Sequence, residues 1–456
     1  MATVNYTLLE SERRLTFDRM VEGFKALAAQ FADRRTGRNL QYRMEDAALG
    51  ALAVFFTQSP SFLAYQTLMA QSQGKSNAHT LFGMFDIPTD NHIRRLLDGV
   101  PPESIFPLFW QIFADLNASG QLQAFQGHGE QLLVALDGTQ YHSSQKIHCT
   151  HCSVKEHADG QKSYSHSMIT PVVLHPTQRQ VIALEPEFIS PQDGHQKQDC
   201  EMAAAKRWIA RCAPRFEDQK VTLLGDDLYS RQPLCEQVLG AGMSFIFVCK
   251  PQSHKTLYEY LAGLEQGGAL HTVRQVRRIG LRTQTDTYRF AADLPLREGE
   301  GALTVHWCEL RTTDDQGKVL YQNAFVGNQP ITPDNVAQIL SAGRARWKVE
   351  NENNNTLKNH GYHLEHNFGH GQQHLAALLA TFNLMAFLMH TVLQRVDAKY
   401  QELRAKLPSR KMFFQHLAAL TAYLCFARFE ALLDFMLQGL EKRFDPASLV
   451  QPIQSG

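Results

Sequence analysis

Gln131-Leu-Leu-Val-Ala-Leu-Asp137, followed at once by Gly138, is the stretch on which the fold turns. An unbroken apolar run with no polar alternation predicts a strand covered on both faces, as in a sheet flanked by helices. Working outward, Thr170-Pro-Val-Val-Leu-His175 and Gln180-Val-Ile-Ala-Leu184 read as two more strands joined by a Pro-containing turn. Lys220-Val-Thr-Leu-Leu-Gly225 is a further buried strand that ends on Asp226-Asp227, and Met243-Ser-Phe-Ile-Phe-Val-Cys249 is a fifth. Asp199 to Cys212 and Pro233 to Leu239 carry helical spacing. The order is β, β, β, α, β, α, β, which predicts an α/β core built on a mixed sheet with flanking helices.

The flanks have a different texture. Residues 1–128 read as helices, among them Arg43 to Phe56 and Ile105 to Leu116, punctuated by Pro60, Pro88 and Pro101-Pro102. Asp86-Ile-Pro-Thr-Asp-Asn-His-Ile-Arg-Arg-Leu-Leu reads as a helix start capped by Thr89 or Asp90, with Arg94 and Arg95 a turn later. That helix fits either a DNA contact or a solvated face. Strand-like pieces at Tyr288 to Ala292, Ala302 to Leu310 and Val319 to Val326 mark a β-rich insertion, and helices return from Pro333. The expected division is a helical N-terminal region (1–128), a first core part (129–264), the insertion (265–327), a last core part (328–372) and C-terminal helices (373–456). Gln451 to Gly456 is expected to be a loose tail.

With 44% hydrophobic and 20% charged residues, the chain can bury a core, which excludes bulk disorder. Lys+Arg and Asp+Glu both number 45, so the overall charge gives no sign of a nucleic-acid partner. Any such partner must be held by local patches, and two clusters qualify: Arg34, Arg35 and Arg38, and Arg274, Arg277, Arg278 and Arg282. The opening residues lack the apolar segment of a secretory signal. The most apolar stretch, Leu375 to Leu393, is interrupted by Asn383, His390 and two Thr, and so reads as a buried core helix rather than a membrane span. These features point to a cytoplasmic chain with reduced thiols and no membrane contact.

Two acids end predicted strands, Asp137 and Asp226, and a third, Glu350, sits in the helical pattern Arg344-Ala-Arg-Trp-Lys-Val-Glu. Ligands of α/β sheets bind beyond the carboxyl ends of the strands. Two carboxylates there, joined by one from a crossing helix, suit Mg²⁺, which prefers hard oxygen ligands. An acid after an apolar run is also a common turn or cap residue. The combination is more specific than any one of the three.

Leu-Asp137-Gly-Thr, Gly-Asp226-Asp-Leu-Tyr-Ser and Arg346-Trp-Lys-Val-Glu350 together resemble the DDE transposases of bacterial insertion sequences. The branch resembled has an RNase H-like core with a β-strand insertion before the last acid, and the likeness spans roughly 130–370. It implies Asp137, Asp226 and Glu350 as catalytic carboxylates holding two Mg²⁺ or Mn²⁺ ions. It implies DNA cleavage at transposon ends followed by strand transfer, with terminal inverted repeats and target DNA as partners. It implies a homodimer in the synaptic complex of a bacterial cell, acting at the nucleoid. The Tyr that follows the family's second Asp selects Asp226, with Tyr229 after it, over Asp227. The family's Tyr, Arg, Glu, Lys signature is met at Arg346 and Glu350. It departs at Gly343, where Tyr is expected, and at Leu357, where Lys is expected; Lys358 comes one residue late. In a regular helix that turns Lys358 away from the row of Glu350, while Glu352 points to the opposite side. Arg346, Lys358, Arg277 and Arg278 are the expected DNA contacts, and His360, His363 and Asn367 could join them from the polar segment after Glu350. Two rival readings are a metal-dependent nuclease of the same fold without strand transfer, and a domesticated DNA-binding protein with vestigial acids.

His148-Cys-Thr-His-Cys152 has zinc-ligand residue types at zinc-ligand spacing. Cys149 and Cys152 would give two ligands, and His157, His166 or Cys200 would complete the set. The other reading is two free thiols.

Overall fold

The computed structural model describes residues 10–36, 40–70, 72–190, 200–280 and 282–441. Its strands are β1 (Leu132–Ala135), β2 (Gly138–Ser144), β3 (Ser153–Glu156), β4 (Lys162–Ile169), β5 (Val172–Leu174), β6 (Ile182–Ala183), β7 (Glu187–Ile189), β8 (Val221–Gly225), β9 (Ser244–Val248), β10 (His271–Ile279), β11 (Arg282–Pro295), β12 (Thr304–Asp314) and β13 (Val319–Gly327). Nine of them form one sheet in the order β10-β11-β12-β13-β9-β8-β1-β5-β6. Inside it, β1 runs parallel to β8 and β8 parallel to β9, while β5 and β6 fold back antiparallel on β1. That is the RNase H-like mixed sheet, with the helices Glu201–Cys212 and Gln232–Gly240 as its crossovers.

The apolar runs explain the centre of the sheet. Every residue of β1, β5 and β8 is buried, because helices cover both faces. The insertion is an antiparallel meander that pairs through β13 with β9, so it widens the main sheet rather than forming one of its own. Its outer edge, β10, is almost wholly exposed.

The second sheet, β2-β4-β3 with β7 on β4, was not legible as strands. Asp137 stands at the bend where β1 leaves the main sheet and β2 begins the small one; the Thr170 N–H donates to the Asp137 carbonyl at 3.0 Å where β4 passes into β5.

The N- and C-terminal helices share one core. The 22-residue helix Leu375–Val396 is the one described helix long and apolar enough to cross a membrane, and it is buried inside the protein instead. Phe24 meets Phe382 edge-on, His390 stacks on Phe56, and Phe17 lies 4.2 Å from Phe429 between ring centroids. Thr89 caps the helix Asp90–Leu97, but Arg94 there is committed internally, donating to the Phe368 carbonyl at 2.9 Å and to Asp90. Arg35 is likewise tied to Asp33. Arg38, Asp199 and the tail from Gln451 lie outside the described residues.

Candidate active site

The register of β1 on β8 opposes Ala135 to Leu224. Two further steps along each parallel strand bring Asp137 opposite Asp226, so both carboxylates leave the same end of adjacent strands. Neighbouring strands lie about 4.8 Å apart. Glu350 arrives from the chain that follows the helix Val336–Arg344. Arg346 joins the set: its Nη2 donates to Glu350 Oε1 at 2.7 Å one turn away, and its Nη1 lies 3.7 Å from Asp137 Oδ1. That Nη1 is buried and, among the described residues, has no hydrogen-bond partner.

The backbone around Glu350 is irregular in a consistent way. The turn through Arg346 is tight, with Arg346 N–H donating to Gly343 and Val349 N–H to Arg346, each three residues back. Val349–Asn354 is then a π-helix, a wider turn often found at functional positions. A π turn takes up one residue more than an α turn. The helical phase that would turn Lys358 from the row of Glu350 therefore does not apply. The Lys358 ammonium itself pairs with Glu365 at 2.8 Å.

The neighbouring Asp226 and Asp227 have different tasks. Asp227 is consumed by the fold: it accepts from the Lys250 N–H at 2.7 Å and from the Ser253 hydroxyl, and lies 3.8 Å from His254 Nε2. Among the described residues the Asp226 carboxylate accepts from its own loop alone, at Leu228 N–H, and its charge acts on Asp137. The tyrosine three residues on is buried and reaches into the same cluster: Tyr229 donates its hydroxyl to Glu201 Oε1 at 2.7 Å. Burial, then the Glu201 charge, pushes its phenol well above the ordinary value, so it stays a donor.

Two side chains here were missed by sequence reasoning. Glu201, first residue of its helix, accepts from the Gly138 N–H at 3.2 Å as well as from Tyr229. Asn354, at the end of the π turn, donates to Asp137 Oδ2 at 3.0 Å and accepts from the Thr170 hydroxyl at 2.7 Å. The glycines beside the acids make room for Glu201 and Tyr229. A Cβ on Gly138 would stand 2.5 Å from Glu201 Oε2, and one on Gly225 would stand 2.7 Å from the Tyr229 ring. Gly343, where the resembled family has Tyr, is filled by its neighbours: a Cβ there would meet Phe325 at 2.8 Å and Ile246 at 3.0 Å.

Asp137 and Glu350 thus flank one guanidinium, and the charges of Glu201 and Asp226 reach Asp137. Burial pushes the Asp137 carboxyl up to about 7; Arg346 draws it back, and the charges of Glu350, Glu201 and Asp226 push it further up. A divalent cation would relieve this excess of negative charge. The donors are all oxygen, the chemistry that Mg²⁺ or Mn²⁺ selects.

The other expected residues lie elsewhere. Arg277 and Arg278 sit on β10 and point to opposite faces of that strand. Arg277 is bound to the buried Asp286 at 2.5 Å. The cysteine pair lies in the loop between β2 and β3, where His166 of β4 joins it. His157 turns to Ser163 instead, at 2.9 Å, and Cys200 is exposed.

No protein-family model and no curated protein matches the chain. Among solved structures it is similar to a piggyBac transposase synaptic complex with hairpin DNA, determined by cryo-EM. The TM-score is 0.42 and the identity 11%, over 97% of this chain and 83% of that one.

Proposed function

We propose that this protein is a metal-dependent transposase of the DDE type, as in bacterial insertion sequences. It would cut DNA at the ends of its element and join the freed 3′-hydroxyl to target DNA. The observation that carries the reading is the in-register opposition of Asp137 and Asp226 at the ends of two parallel strands, with Glu350 tied toward Asp137 through Arg346. Asp137, Asp226 and Glu350 would hold the metal pair. Two bound Mg²⁺ ions supply the positive charge that activates the attacking oxygen and stabilises the leaving one in an in-line displacement at phosphorus.

The chain's own residues set the geometry. Asn354 orients Asp137, Arg346 holds Glu350, and Tyr229 fixes Glu201 beside the strand ends. Hydrolysis breaks a P–O bond and leaves a 3′-hydroxyl. Strand transfer uses that hydroxyl to attack a target phosphodiester, releasing another 3′-hydroxyl. The two steps are the same displacement with a different nucleophile, so one site serves both.

The test is incubation of the full chain with a duplex carrying the terminal repeats that flank its reading frame, in Mg²⁺ or Mn²⁺. Nicking at the repeat boundary and end-joined products are expected. Cleavage without joining would point to a nuclease, and absence of both would overturn the proposal.

A further inference from the structure

Away from the acids, Cys149, Cys152, His166 and His370 converge, with their ligand atoms all within 4.8 Å of one another. The two sulfurs are 3.9 Å apart. His166 Nε2 lies 3.5 Å from Cys149 Sγ and 3.4 Å from Cys152 Sγ, and His370 Nε2 lies 3.7 Å from Cys152 Sγ. A tetrahedral ion with Zn–S bonds of about 2.3 Å and Zn–N bonds of about 2.0–2.1 Å needs S···S edges of about 3.8 Å and S···N edges of about 3.5 Å. The S···S edge of 3.9 Å and the three S···N edges of 3.4–3.7 Å match these values, and the remaining edges lie within 4.8 Å. A disulfide, with sulfurs about 2.05 Å apart, does not fit them.

The surroundings agree. Cys152, His166 and His370 are buried and Cys149 partly so. The Cys149 N–H points at Cys152 Sγ from 3.4 Å, and the Cys152 N–H donates to the Cys149 carbonyl, so the Cys-x-x-Cys turn is closed on itself. Among the described residues the group is two thiols and two imidazoles, the donor set that selects a thiolate and imidazole metal. A cleft lined by Cys149, His151, His166, His370 and His374 opens beside it and gives an ion a way in.

We infer that Cys149, Cys152, His166 and His370 form a structural Zn²⁺ site that staples the small sheet to the chain downstream of Glu350. Four protein ligands close a tetrahedral shell and leave no position for substrate, so the ion is structural rather than catalytic. The staple spans distant sequence. Cys149 and Cys152 hang from β2, the strand that starts right after Asp137. His370 lies 20 residues beyond Glu350, at the entry to the helix Leu375–Val396. Zinc therefore joins the two arms of chain that carry the first and last acids, and fixes them without touching the reaction.

The full chain, purified under reducing conditions, should carry about one zinc per chain by elemental analysis. Cys149→Ser and His370→Ala should each bring that content close to zero and lower the melting temperature, since metal binding contributes to folding. His157→Ala, whose ring faces Ser163, should keep the full content. Co²⁺ exchanged into the wild-type chain should give a thiolate charge-transfer band that Cys149→Ser lacks. The wild-type zinc content decides the matter even if a variant fails to fold. The inference is overturned by wild-type protein that holds neither zinc nor Co²⁺, by a Cys149–Cys152 disulfide in the native protein, or by full zinc in folded His370→Ala.

Discussion

The Asn354 side-chain amide donates to Asp137 Oδ2 at 3.0 Å, and so the residue that ends the π turn of Glu350 directly orients the first acid of the core. Thr170 donates to the carbonyl oxygen of the same amide at 2.7 Å, which fixes which end of Asn354 faces the carboxylate. Groups that orient metal-binding carboxylates typically contribute about 10- to 100-fold in affinity or activity. Asn354→Ala should lower cleavage by about that factor and raise the Mg²⁺ concentration needed for half-maximal rate. A Mg²⁺ titration identical to that of the wild type would reduce Asn354 to a packing residue.

Removing the acids gives the sharper test. Asp137→Asn, Asp226→Asn and Glu350→Gln keep shape and remove a negative charge, so each should abolish cleavage while DNA binding by gel shift persists. Asp227→Asn should behave differently. It weakens the hold on Lys250 N–H and Ser253, and so should lower the melting temperature while leaving cleavage measurable. Full activity in any of the first three removes that residue from the site, and a dead but fully stable Asp227→Asn would move the second acid by one position.

The core strands were legible because helices bury both of their faces, which leaves aliphatic runs such as Leu132–Ala135. The small sheet was not, because its interior is made of other material. β2 and β4 turn His142 and His166 inward where a strand usually places Val or Ile, and no apolar alternation marks Gly138–Ser144 or Ser153–Glu156. Asp137, Asp226 and Glu350 are candidates from strand ends and motif spacing. Glu201, Asn354 and His370 could not follow, since each meets its partners through folding rather than through neighbouring sequence. The π turn is also invisible in the pattern, and it alters the helical phase that governs Lys358.

Asp137 predicts a pH dependence of stability in the metal-free protein. Burial holds its carboxyl at about 7, above its value in the unfolded chain. Between roughly pH 4 and 7 the native state keeps a proton that the unfolded chain has released, so metal-free stability should fall as pH rises through that window and level off above it. Asp137→Asn should flatten this slope. A metal must displace the proton, so the rise in melting temperature on adding Mg²⁺ should be larger at pH 8 than at pH 6. Thermal melts with and without Mg²⁺ at several pH values test both, and equal slopes for wild type and Asp137→Asn would refute the assignment.

Gly343 occupies the place where the resembled family carries Tyr, and the structure gives a steric reason. Its Cα faces Phe325 and Ile246 so closely that even a methyl group would overlap them. Phe325 belongs to β13 and Ile246 to β9, the pair through which the insertion joins the main sheet. Gly343→Ala should cost about 1–3 kcal/mol by overpacking, seen as a lower urea midpoint. A variant as stable as the wild type would show that this contact yields easily and leave the departure from Tyr without a steric cause.

The arginines of β10 divide by face. Arg274, Val276 and Arg278 share one side of the strand, and Val276 and Arg278 there are exposed. Arg277 lies on the other side, bound to Asp286, which is itself buried and accepts from the Thr312 hydroxyl at 2.6 Å. Arg278→Ala should weaken binding to the element's end and lower the slope of log affinity against log salt by about 1, the loss of one phosphate contact. Arg277→Ala should leave a buried carboxylate without its cation, and so should act first on stability, by about 1–3 kcal/mol. Filter binding at several salt concentrations, paired with melting curves, separates the two. If Arg278→Ala leaves the salt slope unchanged, the exposed face of β10 does not track DNA, and the end must be held by another part of the chain.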